Sequence, residues 1–304
     1  MDLPSDQALR WIVQTYARLR AAHGEAIGNP ALVQPTGAFF PDEFRLDAAS
    51  VERLLRRIIA YSPVSDDIGI ELAFVQAEAD HAGGCGSVAC STAAGRPRTP
   101  SPVQELDDGY RVAVATTDVA SPDVLTTSLA RSVGALALLE AGHDADPAES
   151  EIVAVACGFG VLLANGAAVW AKSCGGLRMA QATVLGVEEI AVALALFTAL
   201  HELRPSDARS SLRVTQREAF GLAEAWVESN PLLVDTLRDR PALLEGGAFD
   251  VEPTRGMVGR WLHRRKVAEE MRALVPAGRA PVSDARRRRL EEARALVDEV
   301  LGGE

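Results

Sequence analysis

The residues best suited to hold a metal ion are the histidine and the cysteines of one glycine-rich stretch. His81, Cys85 and Cys90 lie within residues 81–109, where Gly, Ser and Pro are frequent. Imidazole nitrogen and thiolate sulfur are the usual ligands of zinc, although this spacing matches no common zinc knuckle. Free thiols or a local disulfide are the simpler interpretation of the cysteines. A metal site would need a further ligand, for which His143 is the candidate.

Other residue combinations that could carry catalysis are incomplete. His201 and Glu202 begin a His-Glu pair, but Pro205 stands where the zinc-binding pattern His-Glu-x-x-His needs its second histidine. Ser173 and Cys174 have no histidine partner in a recognised arrangement. No GxSxG, GxxxxGK(S/T) or GxGxxG motif follows a predicted strand. The sequence therefore gives no positive support for nucleophilic catalysis.

Two short segments have the alternating pattern of half-buried strands. Apolar side chains recur at every second position in residues 68–76 and again in residues 110–116, which is the period of a strand with one buried face. The stretch between them favours a long surface loop that can include a short hairpin. The metal-ligand candidates of this stretch would therefore lie on a loop.

The remaining apolar residues recur mainly at helical spacing and predict a helix-rich α+β fold. Ser121 is a plausible cap followed by Pro122, and Gly142 marks a helix stop. The length fits one large domain, residues 1–245, with a C-terminal helical appendix, residues 246–304. The predicted helices are residues 5–22, 47–61, 121–141, 149–170, 188–203 and 213–228, followed in the appendix by residues 254–274 and 283–301.

Several segments together resemble a known family. The segments PTGAFFPDEF, CGSVAC, LARSVGALALLEAG and EIVAVACGFGVLLAN, with the two strands, resemble an uncharacterised bacterial group of gluzincin-like zinc metallopeptidase-fold proteins over about residues 8–240. In that family a strand precedes a helix bearing His-Glu-x-x-His, and the next helix supplies an acidic third ligand. The resemblance implies a small, mainly antiparallel sheet packed on a metallopeptidase-like helical core.

This chain departs from the family at each diagnostic position. Arg131, Ser132 and Ala135 stand where the motif has His, Glu and His. Zinc needs neutral or anionic ligand atoms and a base for its water, whereas arginine is a permanent cation, alanine has no ligand atom and serine is no general base. The sequence therefore predicts a degenerate member with no catalytic residue, no metal and no cofactor.

The third ligand of the family is not securely retained either. Glu149 and Glu151 begin the following predicted helix, where acidic residues ordinarily complement the helix dipole. An alternative alignment places Pro147 at the position of the acidic ligand, which would remove that ligand as well. We expect Arg131 to pair with one of the two glutamates across the former cleft, replacing a metal-centred network by an ion pair.

The net charge and the lack of a secretory signal pattern argue against some partners and locations. The formal net charge of −11 opposes binding to nucleic acid, and the basic run of residues 286–289 is followed by acidic residues on the same predicted helix. The first residues lack the basic and apolar regions of a secretory signal, so a cytoplasmic protein is expected. Residues 152–171 are uncharged and long enough to cross a bilayer, but Asn165 and many Ala and Gly residues favour a buried core helix, and no membrane association is expected.

Two functions from different classes follow from these patterns. The first is a non-catalytic, metallopeptidase-like protein that binds or scaffolds a protein partner of unknown identity. The alternative is a metal-dependent hydrolase with a rebuilt metal site that uses His81, Cys85, Cys90 and His143. A metal ion bound in stoichiometric amount would favour the alternative.

Overall fold

The computed structural model describes residues 2–27, 30–76, 102–173 and 176–254. His81, Cys85 and Cys90 lie outside the described residues, as do the two predicted C-terminal helices. Residues Met1–Thr254 form one compact unit. Within it, residues 249 and 252 contact the helical part, because Arg10 lies over the Phe249 ring and the Glu252 backbone N–H donates to the Asn230 side chain. The proposed division after residue 245 stays a prediction.

The described residues are mostly helical, and the helix-rich α+β class is confirmed. The helices are α1 (Asp6–Ile27), α2 (Ala48–Ile59), α3 (Pro122–Glu140), α4 (Pro147–Ala154), α5 (Gly160–Ala167), α6 (Val187–Leu200), α7 (Pro205–Ser211), α8 (Val214–Ser229) and α9 (Pro231–Asp239). The sequence did not predict α7 and α9. The other helices lie near the predicted positions, since their caps and apolar spacing are strong local signals.

Both predicted strands are present, but the sheet is mixed rather than mainly antiparallel, because the two predicted strands pair in parallel. Strand β1 (Ile70–Val75) pairs in parallel with β3 (Gly109–Ala115), and β2 (Val103–Leu106) pairs with β3 in antiparallel orientation. The strand order is β1-β3-β2, so β3 is central. The β2–β3 hairpin turns within two residues, Asp107 and Asp108. From the end of β3 the chain passes through a short 3₁₀ turn into α3, which places Asp118 beside that helix.

A second hairpin replaces the end of a predicted helix. The sequence predicted helix up to residue 170, but α5 ends at Ala167 and the chain continues into β4 (Val169–Ser173) and β5 (Gly176–Ala180), which pair antiparallel. The β-branched and aromatic residues Val169 and Trp170 suit a strand, and Trp170 is 61% exposed. The apolar periodicity of the preceding helix concealed this change of element.

The apolar stretch that could by its length cross a membrane lies inside the helical core. Among the described residues, one helical stretch, Pro147–Ala167, has the length and composition to cross a membrane, and its most apolar window is entirely buried within the protein. A core helix gives the same signal, so the stretch is weak evidence for a span. A π-helical turn, Val155–Phe159, interrupts it, and Gly158 has a φ of 98°. A Cβ there would lie 2.0 Å from the Ala31 carbonyl oxygen, so this close approach requires glycine.

Helices α3 and α4 pack with almost no space between their backbones. At Gly134 of α3, a Cβ would lie 2.1 Å from the carbonyl oxygen of Ser150 in α4. Only glycine permits such an approach. The contact brings the turn of α3 that carries Arg131 beside the turn of α4 that carries Glu151. Backbone packing at a glycine therefore positions the candidate site.

Candidate functional site

Arg131 and Glu151 form a buried ion pair between α3 and α4. The Arg131 Nε atom lies 2.7 Å from Glu151 Oε1, and the exposed fractions of the two side chains are 10% and 0%. The expectation that Arg131 pairs with a carboxylate of the following helix is therefore confirmed, and the partner is Glu151. Glu149, the other candidate, instead lies 3.4 Å from Arg18 on α1.

Glu151 also binds the loop that leads into α6. Its Oε1 accepts the Val184 backbone N–H at 2.6 Å, and its Oε2 accepts the Leu185 backbone N–H at 2.8 Å. Burial nevertheless raises the pKa of the Glu151 carboxyl, which the Arg131 charge and these backbone bonds act to lower. One carboxylate thus joins α3, α4 and the segment before α6.

The other positions of the family motif are filled by core contacts. The Ser132 hydroxyl donates to the Ser128 carbonyl oxygen at 3.0 Å, and neither Ser132 nor Ala135 has any exposed surface. Pro147 is the first residue of α4, where its missing N–H costs nothing. A zinc ion does not fit this donor set, because the face holds an ion-paired guanidinium, a hydroxyl bonded to the backbone and a methyl group.

A cavity of about 290 Å³ opens beside Arg131. It lies between the 3₁₀ turn before α3, the face of α3 itself and the chain that follows β5. Apart from Arg131, its polar lining was not identified from the sequence, because these side chains come from three separate segments with no motif spacing. The lining residues are Asp118, Val124, Ser128, Arg131, Val169, Gln181, Ala182 and Thr183.

The described residues satisfy only part of the hydrogen-bonding capacity of the Arg131 guanidinium. Its Nη1 donates to the Ala182 carbonyl oxygen at 3.0 Å, while Nε faces Glu151. Its Nη2 is buried and has no hydrogen-bond partner among the described residues. A guanidinium carries five N–H donors, so part of the hydrogen-bonding capacity of this side chain is not used by the described residues.

Asp118 supplies a negative charge to the same cavity. Its carboxylate accepts a hydrogen bond from the Thr117 hydroxyl at 3.4 Å. Burial raises the pKa of Asp118, while the hydroxyls of Thr117 and Ser128 and the charge of Arg131 lower it. A signal for Asp118 did exist in the sequence, since polar residues between a strand and a helix cap often line sites.

The metal-ligand candidates are brought together only in part. His143 is exposed, and its Nε2 lies 3.4 Å from the Nε2 of His23 on α1, a neighbour that the sequence did not indicate. Within the described ranges, no group of three or more His, Cys, Asp or Glu side chains is placed to hold a metal ion. The structure therefore places His143 beside His23. His81, Cys85 and Cys90 lie outside the described residues.

No protein-family model, curated protein or solved structure matches this chain. The function has to be inferred from the geometry of the site itself. The gluzincin-like resemblance therefore stays a prediction made from the sequence.

Proposed function

We propose that this chain is a non-catalytic, metallopeptidase-like protein that acts by binding. The observation that carries the proposal is the buried ion pair of Arg131 with Glu151, which occupies the helix face where the family would hold zinc. A guanidinium has no lone pair to offer a metal, and here it also occupies the Glu151 carboxylate, which could otherwise serve as a ligand. Arg131 therefore both removes a ligand and disfavours the metal.

The proton chemistry of a peptidase is missing at the same face. A zinc peptidase needs a carboxylate that accepts a proton from the metal-bound water. Ser132 stands at that position and its hydroxyl is engaged with the Ser128 carbonyl. Glu151 is the nearest carboxylate on the facing helix, but Arg131 and two backbone N–H groups occupy its oxygens. These contacts support a binding role over hydrolysis.

The metal content of the purified, untagged protein tests this proposal directly. We expect less than about a tenth of an equivalent of zinc by plasma mass spectrometry, because a catalytic or structural site would retain its metal. We also expect no metal-dependent hydrolysis of casein. Close to one equivalent of zinc, with hydrolysis that a chelator abolishes, would contradict the proposal.

The alternative of a metal-dependent hydrolase has one observation in its favour. Two nitrogens bound to a single tetrahedral zinc at about 2.0–2.1 Å lie about 3.3–3.4 Å apart, and the Nε2 atoms of His23 and His143 are separated by 3.4 Å. If zinc is present, the variant His143→Ala should lose it under this alternative. The variants Cys85→Ser and Cys90→Ser then test the remaining predicted ligands.

The proposal also includes a protein partner and a cytoplasmic location. The acidic charge of the chain favours neither nucleic acid nor an anionic membrane as that partner. Cell fractionation without detergent tests the location, and we expect recovery in the soluble fraction. Recovery only with the membranes would instead implicate the apolar stretch Pro147–Ala167.

A further inference from the structure

Arg131 lines the cavity, and its guanidinium has hydrogen-bond donors that the described residues do not use. The Arg131 side chain is nine-tenths buried, and its Nη2 has no partner among the described residues. A buried donor without a partner costs free energy, and more when it is charged. An acceptor that enters the cavity would remove this cost, and a carboxylate suits a guanidinium best because both groups are planar.

The same cavity presents an acceptor of opposite charge. Asp118 lines it together with Arg131, but the ion-pair partner of Arg131 is Glu151. The Asp118 carboxylate therefore faces the cavity with capacity to receive a cationic group. Because burial disfavours its charged form, an ammonium group nearby would stabilise that form.

These two charges exclude most other classes of ligand. A phosphate or another dianion would be repelled by Asp118, and a simple cation would leave the unused N–H donors of Arg131 without an acceptor. The volume of about 290 Å³ is at the lower end of the range for ligand pockets, so the occupant is small. Val124, Val169 and Ala182 supply apolar wall between the polar groups, which suits a short apolar side chain.

We propose that the cavity binds a free α-amino acid with a small apolar side chain, its carboxylate on Arg131 and its ammonium group on Asp118. This inference rests on the proposed non-catalytic binding role, because a zinc ion at the Arg131 face would exclude the ion pair that shapes the cavity. The Gln181 and Thr183 side chains complete the polar rim. Glycine and alanine are the simplest members of this class of ligand.

The test is a titration of the full-length, ¹⁵N-labelled protein with glycine, L-alanine, acetate and methylammonium at constant ionic strength. The amide resonances of Ser128, Ala182 and Thr183 report on the cavity. We expect both amino acids to bind at least about tenfold more tightly than acetate or methylammonium, since each of these carries only one of the two charges. Asp118→Asn should weaken glycine binding by at least about tenfold but should not weaken acetate binding, because the carboxylate that it removes repels an anion.

Two further variants keep the result interpretable. Asp144→Asn removes a carboxylate from the exposed loop after α3, outside the cavity, and should bind glycine like the parent protein. Arg131→Lys keeps the charge that Glu151 requires but removes the planar fork, so it should weaken glycine and acetate alike. Equal binding of acetate and glycine, or no effect of Asp118→Asn, would overturn the inference.

The failure of this inference can be told apart from the failure of the proposed function. If none of the four probes shifts the cavity resonances and the protein contains no zinc, the cavity holds only water and the inference is wrong, whereas the non-catalytic role stands. If the protein contains about one equivalent of zinc, the proposed function itself fails.

Discussion

Arg131 and Glu151 are joined across α3 and α4 beside the point where Gly134 meets the backbone of Ser150. The ion pair and the glycine contact depend on each other. The short distance between the helices lets a 2.7 Å contact form inside the core, and the contact satisfies a charge that would otherwise be buried alone. In the family that this chain resembles, this helix face holds a metal ion. Here it holds an ion pair that connects α3 to α4.

Removing one partner of this pair should strongly destabilise the protein. We expect Arg131→Met and Glu151→Gln each to lower the free energy of unfolding by about 3–5 kcal/mol, because each leaves an unpaired charge in the core. The double variant should lose less than the sum of the two, by about 1–3 kcal/mol. Urea denaturation of the four proteins measures this coupling, and simple additivity would show that the two side chains act independently.

The loss of folding stability caused by Arg131→Met should depend on pH. Burial raises the pKa of Glu151 and the Arg131 charge lowers it, so the variant moves this pKa further up. An acid whose pKa is raised on folding contributes stability below its unfolded value and loses it as pH rises through the folded pKa. The deficit relative to the parent protein should therefore be smaller at pH 5 than at pH 8. In Arg131→Met combined with Glu151→Gln no carboxyl remains to titrate at this position, so the deficit of this variant should not become smaller at pH 5.

Local signals in the sequence were sufficient to predict most of the helices and strands. Pro122 opens α3 as predicted, although Ser121 lies at the N-cap of that helix without a capping side-chain hydrogen bond. Asp47, at the start of the second predicted helix, caps α2 by accepting the Ser50 backbone N–H. The alternation in residues 68–76 and 110–116 identified β1 and β3. These elements are encoded by residues close together in the chain, so periodicity and caps are enough to find them.

The site was predictable only in part, because most of it depends on contacts between distant segments. The Arg131 pair could be anticipated from the two adjacent helices, since a buried arginine requires a carboxylate. The Val184 and Leu185 N–H groups that bind Glu151 could not be anticipated, because residue type does not show which backbone N–H groups bind a side chain. The neighbouring position of His23 and His143 arises from the packing of α1 and has no sequence spacing that would reveal it.

Because α3 and α4 lie so close together, we expect that one methyl group added at Gly134 destabilises the protein. Gly134→Ala would place a Cβ 2.1 Å from the Ser150 carbonyl oxygen, so the helices must separate. We expect a loss of about 1–3 kcal/mol in the free energy of unfolding, as for other overpacked cores. Gly221→Ala in α8 is the matched control, because a Cβ there meets nothing within 4 Å, and it should be neutral or stabilising by about 0.5–1 kcal/mol. Equal effects of the two substitutions would contradict the packing argument.

His201, at the C-terminal end of α6, should limit stability in acid. Its ring packs against Phe197 with centroids 4.7 Å apart, and burial, followed by the charges of Arg20 and Arg238, lowers its pKa to about 4. A base whose pKa is lowered on folding takes up its proton more readily when unfolded. The unfolded chain binds that proton from about pH 6.5 downwards, so stability is full above that pH and falls as the pH approaches 4.

Two measurements check this expectation for His201. NMR titration of the imidazole should give a midpoint near 4, and a midpoint near 6.5 would show that the ring is solvated as in a peptide. The parent protein should lose about 1–3 kcal/mol from this one group between pH 7.5 and pH 4. His201→Gln has no such proton to bind, so the difference between its stability and that of the parent should shift in its favour as the pH falls. An unchanged difference across this range would mean that another group causes the loss of stability in acid.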